Sequence, residues 1–195
     1  DQGVVMNRKF ICILLVIFIL GLVACGAPAN SEKDSSIDSA DGDTPAIITA
    51  TSLVSIHEAE MLLGSGTTLS QDDKEVPPGT MQCVYESGDV MLVVGVTQDA
   101  LISGLNLENG GAANMFKELI EFQKADAPQD MFEVSGFAGQ AYIIDLAQID
   151  HWSLHALQDG YLVAVHAYGI HDKDETWALL EAAGKIALEN LKQQL

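Results

Sequence analysis

The stretch HWSLHALQDGYLVAVHAY, residues 151–168, decides how the folded part of this chain is read. Polar and apolar residues alternate on both sides of Asp159-Gly160, a dipeptide suited to the positive φ angles of a two-residue type I′ turn. The pattern predicts an antiparallel hairpin with strands over Trp152–Leu157 and Tyr161–Tyr168. In the register that such a turn imposes, Gln158 pairs with Tyr161, His155 with Ala164 and Ser153 with His166. Successive strand residues point to opposite faces, so Trp152, Leu154, Val163 and Val165 take the core side. His151, His155 and His166 then share the other face, with His166 diagonal to the first two.

Diagonal neighbours in an antiparallel pair lie ~7–8 Å apart at the backbone, close enough for imidazoles to meet. Three of them together suit a Zn or Cu ion. His171 and Asp172 follow just past the second strand and would add a ligand if the chain turned back. The plainer reading is that the histidines line the wetter face of the sheet and hold nothing.

Working outward, Tyr142–Leu146 reads as a strand beside this hairpin, and Phe132–Val134 as a short one before it. The two glycines of SGFAG, 135–139, precede a strand rather than a helix, so a turn explains them better than a phosphate cradle. A second hairpin is expected from Met81–Glu86 and Asp89–Thr97 around Ser87-Gly88, with Cys83 facing Leu92 and Tyr85 facing Val90. The polar residues from Ser65 to Gly79 read as a loop. Ser55-Ile56-His57-Glu58 is a capping box that opens a helix ending at Gly64. Ala112–Lys124 spaces Met115, Phe116, Leu119, Ile120 and Phe122 as the apolar face of another helix, and Asp172–Leu195 forms a long amphipathic C-terminal helix. The elements alternate too little for a parallel sheet. The expected class is α+β, a mainly antiparallel sheet of about five to six strands covered by helices.

Upstream stands MNRKFICILLVIFILGLVAC, residues 6–25. Arg8 and Lys9 precede an apolar run over Phe10–Val23 that carries no charge, the layout of a signal peptide. Leu22-Val23-Ala24-Cys25 resembles the lipobox of bacterial lipoproteins, and the resemblance implies a diacylglyceryl thioether on Cys25. Residues 1–24 are therefore read as a signal peptide, with 1–5 as an extension, and 25–46 as the lipidated cysteine and a disordered acidic tether. Residues 47–195 form a single extracytoplasmic domain in this reading. The tether GAPANSEKDSSIDSADGDTP is too polar to bury a core, and Asp38, Asp41 and Asp43 lack the downstream Glu of an EF-hand. After Cys25 there are 7 Lys, no Arg and 27 Asp plus Glu, so that part carries 7 − 27 = −20. Such a field repels nucleic acid, which is not expected as a partner. Cys12 belongs to the signal and Cys25 to the lipid, which leaves Cys83 alone, a small buried hydrophobe by its setting.

Catalytic motifs are lacking: no G-x-S-x-G, H-E-x-x-H or S-x-x-K occurs. His57-Glu58 opens like a zinc-protease helix, but Met61 occupies the place of the second histidine, and Glu118 and Glu121 fit a solvated helix face. Leu53-Val54-Ser55 with Glu58–Gly64, then Cys83-Val84-Tyr85, then Val134–Tyr142 resemble the layout of small domains on Gram-positive lipoproteins, some similar to extracytoplasmic sensor domains. That resemblance implies binding or sensing without catalytic residues. The related domains often pair the cysteine of the C-x-Y segment, whereas Cys83 has no partner here. The expected function is a non-catalytic binding or sensing module held at the cell membrane by the lipid on Cys25. Its ligand is an unidentified protein or small molecule, and it has no cofactor. The alternatives are a metal-binding lipoprotein using His151, His155 and His166 with Zn or Cu, and, more distantly, a hydrolase.

Overall fold

A computed structural model describes residues 46–102, 108, 110–146 and 151–195. The signal segment, Cys25, the acidic tether and part of the connection after Asp99 lie outside the described residues. Pro45–Leu195 make one compact unit. In chain order its elements are α1 (Ala50–Leu53), α2 (Ile56–Leu63), β1 (Thr68–Val76), β2 (Thr80–Ser87), β3 (Val90–Thr97), α3 (Gly111–Asp126), a 3-10 turn at Pro128–Asp130, β4 (Met131–Glu133), β5 (Gln140–Leu146), β6 (His151–Gln158), β7 (Tyr161–Tyr168) and α4 (Lys173–Gln194).

The expected α+β class holds, with a seven-stranded sheet in the order β1-β2-β3-β7-β6-β5-β4. Every neighbouring pair is antiparallel. Two meanders meet at the centre, where β7 returns beside β3. The hairpin of β6 and β7 adopts the register its turn dictates: Gln158 faces Tyr161, His155 faces Ala164 and Ser153 faces His166. Asp159 and Gly160 both take positive φ, as a type I′ turn requires.

The β2–β3 hairpin differs from expectation. Its turn is Gly88-Asp89, closed by the pair Ser87–Val90, so Cys83 faces Val94 and Tyr85 faces Leu92. Moving the turn by one residue shifts the register by two, and an even shift leaves each side chain on its expected face. Ser65–Gly79 is not simply a loop, because Thr68–Val76 pairs with β2 as the edge strand β1. Its polar sequence is that of a strand with one side open to water.

One face of the sheet carries Cys83, Tyr85, Leu92, Val94, Val96, Val163, Val165, Leu154 and Ile143, all buried under α4 and α1. Helix α4 begins at the N-cap Asp172, whose carboxylate accepts the Glu175 N–H at 2.9 Å. It lays Leu180, Ala183, Ala187 and Leu191 on the sheet. Asn190 ties it to the N-terminal helices by donating to the Leu53 carbonyl at 3.0 Å and to Glu58 at 2.9 Å. The capping box at Ser55 and Glu58 is present in both directions. On the other face α3 seats Ala112, Phe116 and Ile120 against Tyr142 and Leu162. Phe122 is not part of that stripe. It stands outside, 52% exposed, and Gln123 is buried in its stead. Gly139 owes its place to a close crossing of backbones, since a β-carbon there would collide with the Leu157 carbonyl.

Cys83 is fully buried beneath this core, beside Tyr85, whose hydroxyl donates to the Val54 carbonyl. Burial pushes the thiol up to about 12, and burial raises the Tyr85 phenol as well. Above pH ~9 the unfolded chain gives up the cysteine proton while the folded one keeps it, so the unfolded state binds fewer protons. Stability should therefore fall as pH rises from about 9 to about 12, by at most ~1.4 kcal/mol per pH unit for this group. Urea unfolding at pH 8, 9 and 10 would measure the slope, and Cys83→Ala should flatten it. An unchanged slope in that variant would mean that the thiol is not the titrating group.

Candidate functional site

Two features of the folded unit have the makings of a site, and they lie on opposite faces of the sheet. The first is the histidine face. β6 presents His151, Ser153 and His155, and β7 presents His166 and Tyr168, because each set alternates with core residues along its strand. The rings meet as the sequence spacing predicts. His151 Nε2 lies 3.0 Å from His166 Nδ1, one ring donating and the other accepting. The His155 and His166 rings stand edge to face with centroids 5.5 Å apart, and His155 Nε2 is 3.0 Å from the Ser153 hydroxyl. Tyr168, which the sequence reading did not single out, stacks flat on His151 at 4.3 Å and 5°.

This is the wetter of the hairpin's two faces, as expected: His155, Ala164, His166 and Tyr168 are half-buried, whereas Trp152, Leu154, Val163 and Val165 opposite are buried. His151 is 3% exposed, and Val93, Ile144 and Ser153 around it are also buried. Across the neighbouring strands the rings face Val93, Ala164, Tyr142, Leu146 and Tyr168, none of which carries a charge near neutrality. Burial disfavours the imidazolium form. It pushes His151 down to about 4, and His155 also to about 4 with the adjacent His151 adding to the effect. His166 falls well below its ordinary value, through burial first and then through His155 and His151. All three rings are neutral at pH 7, the form that binds metal. The Nδ1 atoms of His151 and His155 are buried with no hydrogen-bond partner among the described residues. Among the described residues no group of three or more His, Cys, Asp and Glu could hold a metal ion. His171, read as an additional ligand, lies beyond the end of β7 and outside the ring contacts just described.

The second feature is an apolar groove between α2 and the first half of α4, at the end of β3. It encloses about 340 Å³, and its walls include Met61, Leu63, Val90, Ile170, Ala178 and Leu179, with Glu175 as the one charged residue. Met61 is 65% exposed. In the sequence Met61 continues the helix opened at Ser55 and stands where a zinc-protease helix would need its second histidine. A clue was present, because α2 carries Met61, Leu62 and Leu63 in a row, more apolar surface than a single buried stripe uses. Glu118 and Glu121 are both exposed on α3, with Glu121 3.9 Å from Lys117 and Glu118 accepting from Asn114.

In comparisons with known proteins the chain matches no family model, no curated protein and no solved structure. Among the described residues no helix is long and apolar enough to cross a membrane.

Proposed function

We propose that this chain is a membrane-anchored extracytoplasmic lipoprotein whose folded unit is a non-catalytic binding or sensing module. The groove between α2 and α4 carries the reading. Its volume falls within the ~300–1,000 Å³ of small-molecule sites, and such sites are mostly apolar with a few polar groups that orient the ligand. Glu175 stands at its edge in a chain of net charge −19, so the ligand class that fits is a small apolar molecule with a cationic end. Support for the anchor comes from the sequence, where the apolar run closes on Leu22-Val23-Ala24-Cys25. Two acyl chains on Cys25 would hold the protein stably, which one chain alone does poorly.

Each half of the reading has its own test. In a bacterial host fed labelled palmitate, the chain should carry label and sediment with membranes, and Cys25→Ser should lose both properties. Label that persists in Cys25→Ser would remove the anchor at that residue. For the groove, hexyltrimethylammonium should shift the methyl NMR signal of Met61 saturably, and Ala178→Trp, which fills the space, should weaken the binding at least tenfold. Shifts at other methionines with Met61 unmoved would put the ligand elsewhere.

A further inference from the structure

The histidine face is independent of the groove and of the anchor, and it has chemistry of its own. We infer that His151 and His166 form a two-ligand binding site for a monovalent copper ion. The contact between His151 Nε2 and His166 Nδ1 is the starting point, two donor nitrogens 3.0 Å apart on adjoining strands. With metal–nitrogen distances of ~2.0 Å, the two atoms must part by only roughly 0.3 Å to share an ion tetrahedrally and by roughly 1 Å to bind it linearly. The ion replaces the hydrogen bond between the rings, and each neutral ring then carries its proton on the nitrogen that does not bind, which for His151 is the buried Nδ1.

His155 stands beside the pair rather than in it. Its ring stands edge to face with His166, and its buried Nδ1 has no partner among the described residues. The rings are held in place by β-strand backbone, by the stack of Tyr168 on His151 and by the Ser153 hydroxyl on His155. Such outer contacts fix the orientation of histidine ligands. Met91 pairs with Tyr168 and lies one diagonal step from His166 on the same face, which puts a thioether-bearing residue at a neighbouring register position. Nitrogen and thioether donors together suit copper better than zinc.

Charge decides between the two ions. The residues facing the rings across the strands are Val93, Ala164, Tyr142, Leu146 and Tyr168, with no carboxylate or thiolate among them. A divalent ion held by neutral imidazoles would bring two uncompensated charges onto a buried face. The cost of burying charge grows with its square, so a monovalent ion pays about a quarter of it. Copper in the monovalent state is also satisfied by two or three ligands. Two donors are what this face offers, since among the described residues no group of three or more His, Cys, Asp and Glu could hold a metal ion.

The test uses the full chain, purified without chelator or histidine tag and titrated anaerobically with monovalent copper against bicinchoninate. One ion per chain is expected, with zinc bound at least tenfold more weakly. His166→Asn, which removes the ring common to both contacts, should weaken copper binding at least a hundredfold while circular dichroism shows the fold retained. His57→Ala on α2 should change nothing. Should His166→Asn fail to fold, X-ray absorption of the copper-loaded natural chain decides instead, with imidazole scattering from two rings as the expected result. No copper binding against the competitor, copper binding unchanged by His166→Asn, or a sulfur-only shell from Cys12, Cys25 or Cys83 would each overturn the assignment. Zinc bound as tightly as copper would overturn the choice of ion.

Discussion

Replacing Leu154 with alanine should lower the free energy of unfolding by about 3–5 kcal/mol, within the range of large-to-small changes at sites that cannot collapse. Leu154 is fully buried in β6, between Ile143 on β5 and Val165 on β7. Hydrogen-bonded strands on both sides keep the backbone from closing over the space. Above it lies Gly184 of α4, where a β-carbon would stand 2.9 and 3.1 Å from the two Leu154 methyls and 3.3 Å from the Phe137 ring. Helix α4 thus accepts a glycine in its interior, at ~1 kcal/mol relative to alanine, so that leucine and helix can meet. Gly184→Ala alone should be near neutral, the gain in helix propensity offset by the crowding. In the Leu154→Ala background the crowding is gone, and Gly184→Ala should restore about 1–2 kcal/mol. Urea unfolding of the four proteins checks this directly. If the two substitutions simply add, the helix does not rest on Leu154.

The same pair shows what the sequence discloses and what it withholds. Leu154 is legible as core because it alternates with His155 and Ser153 in a strand whose register a D-G turn fixes. Its partner Gly184 is not, since no local pattern says which glycine of a helix will lie over which strand. The histidine face was legible for the same reason as Leu154. How far that face is covered was not, because burial on the second face of a sheet depends on what else packs there. Strand β1 escaped because TLSQDDKEV has no apolar alternation, and only its hydrogen bonds to β2 make it a strand. The β2–β3 turn was displaced by one residue because Ser87-Gly88 and Gly88-Asp89 are both good turn dipeptides, and Gly88 takes positive φ, as a turn on either would allow. The groove was hidden for a different reason. It is made where α2 and α4 meet, more than a hundred residues apart in the chain.

Gln98 is another residue that sequence patterns pass over, and changing it should have the second large effect. It follows β3, is 1% exposed, and holds Ile48 with both ends of its amide. Its Oε1 accepts the Ile48 N–H at 2.9 Å and its Nε2 donates to the Ile48 carbonyl at 2.7 Å. Ile48 lies just before α1, so this clamp performs for one residue what a strand partner would do. Gln98→Leu keeps the volume and leaves both backbone groups buried without partners, at ~1–3 kcal/mol each. A loss of about 2–5 kcal/mol is expected. Gln98→Glu keeps the acceptor but removes the donor and introduces a buried charge, so it should be at least as damaging at pH 7 and partly recover on acidification, when the carboxyl regains a proton to donate. The sign follows from burial, which raises a carboxyl pKa in the folded state, so the folded variant takes up a proton before the unfolded chain does. Hydrogen exchange at the Ile48 amide distinguishes a local clamp from general softening. Its protection should fall far more than that of Val94 or Val165 in the core strands, whereas an equal loss at all three would mean that Gln98 serves the whole sheet rather than the segment leading into it.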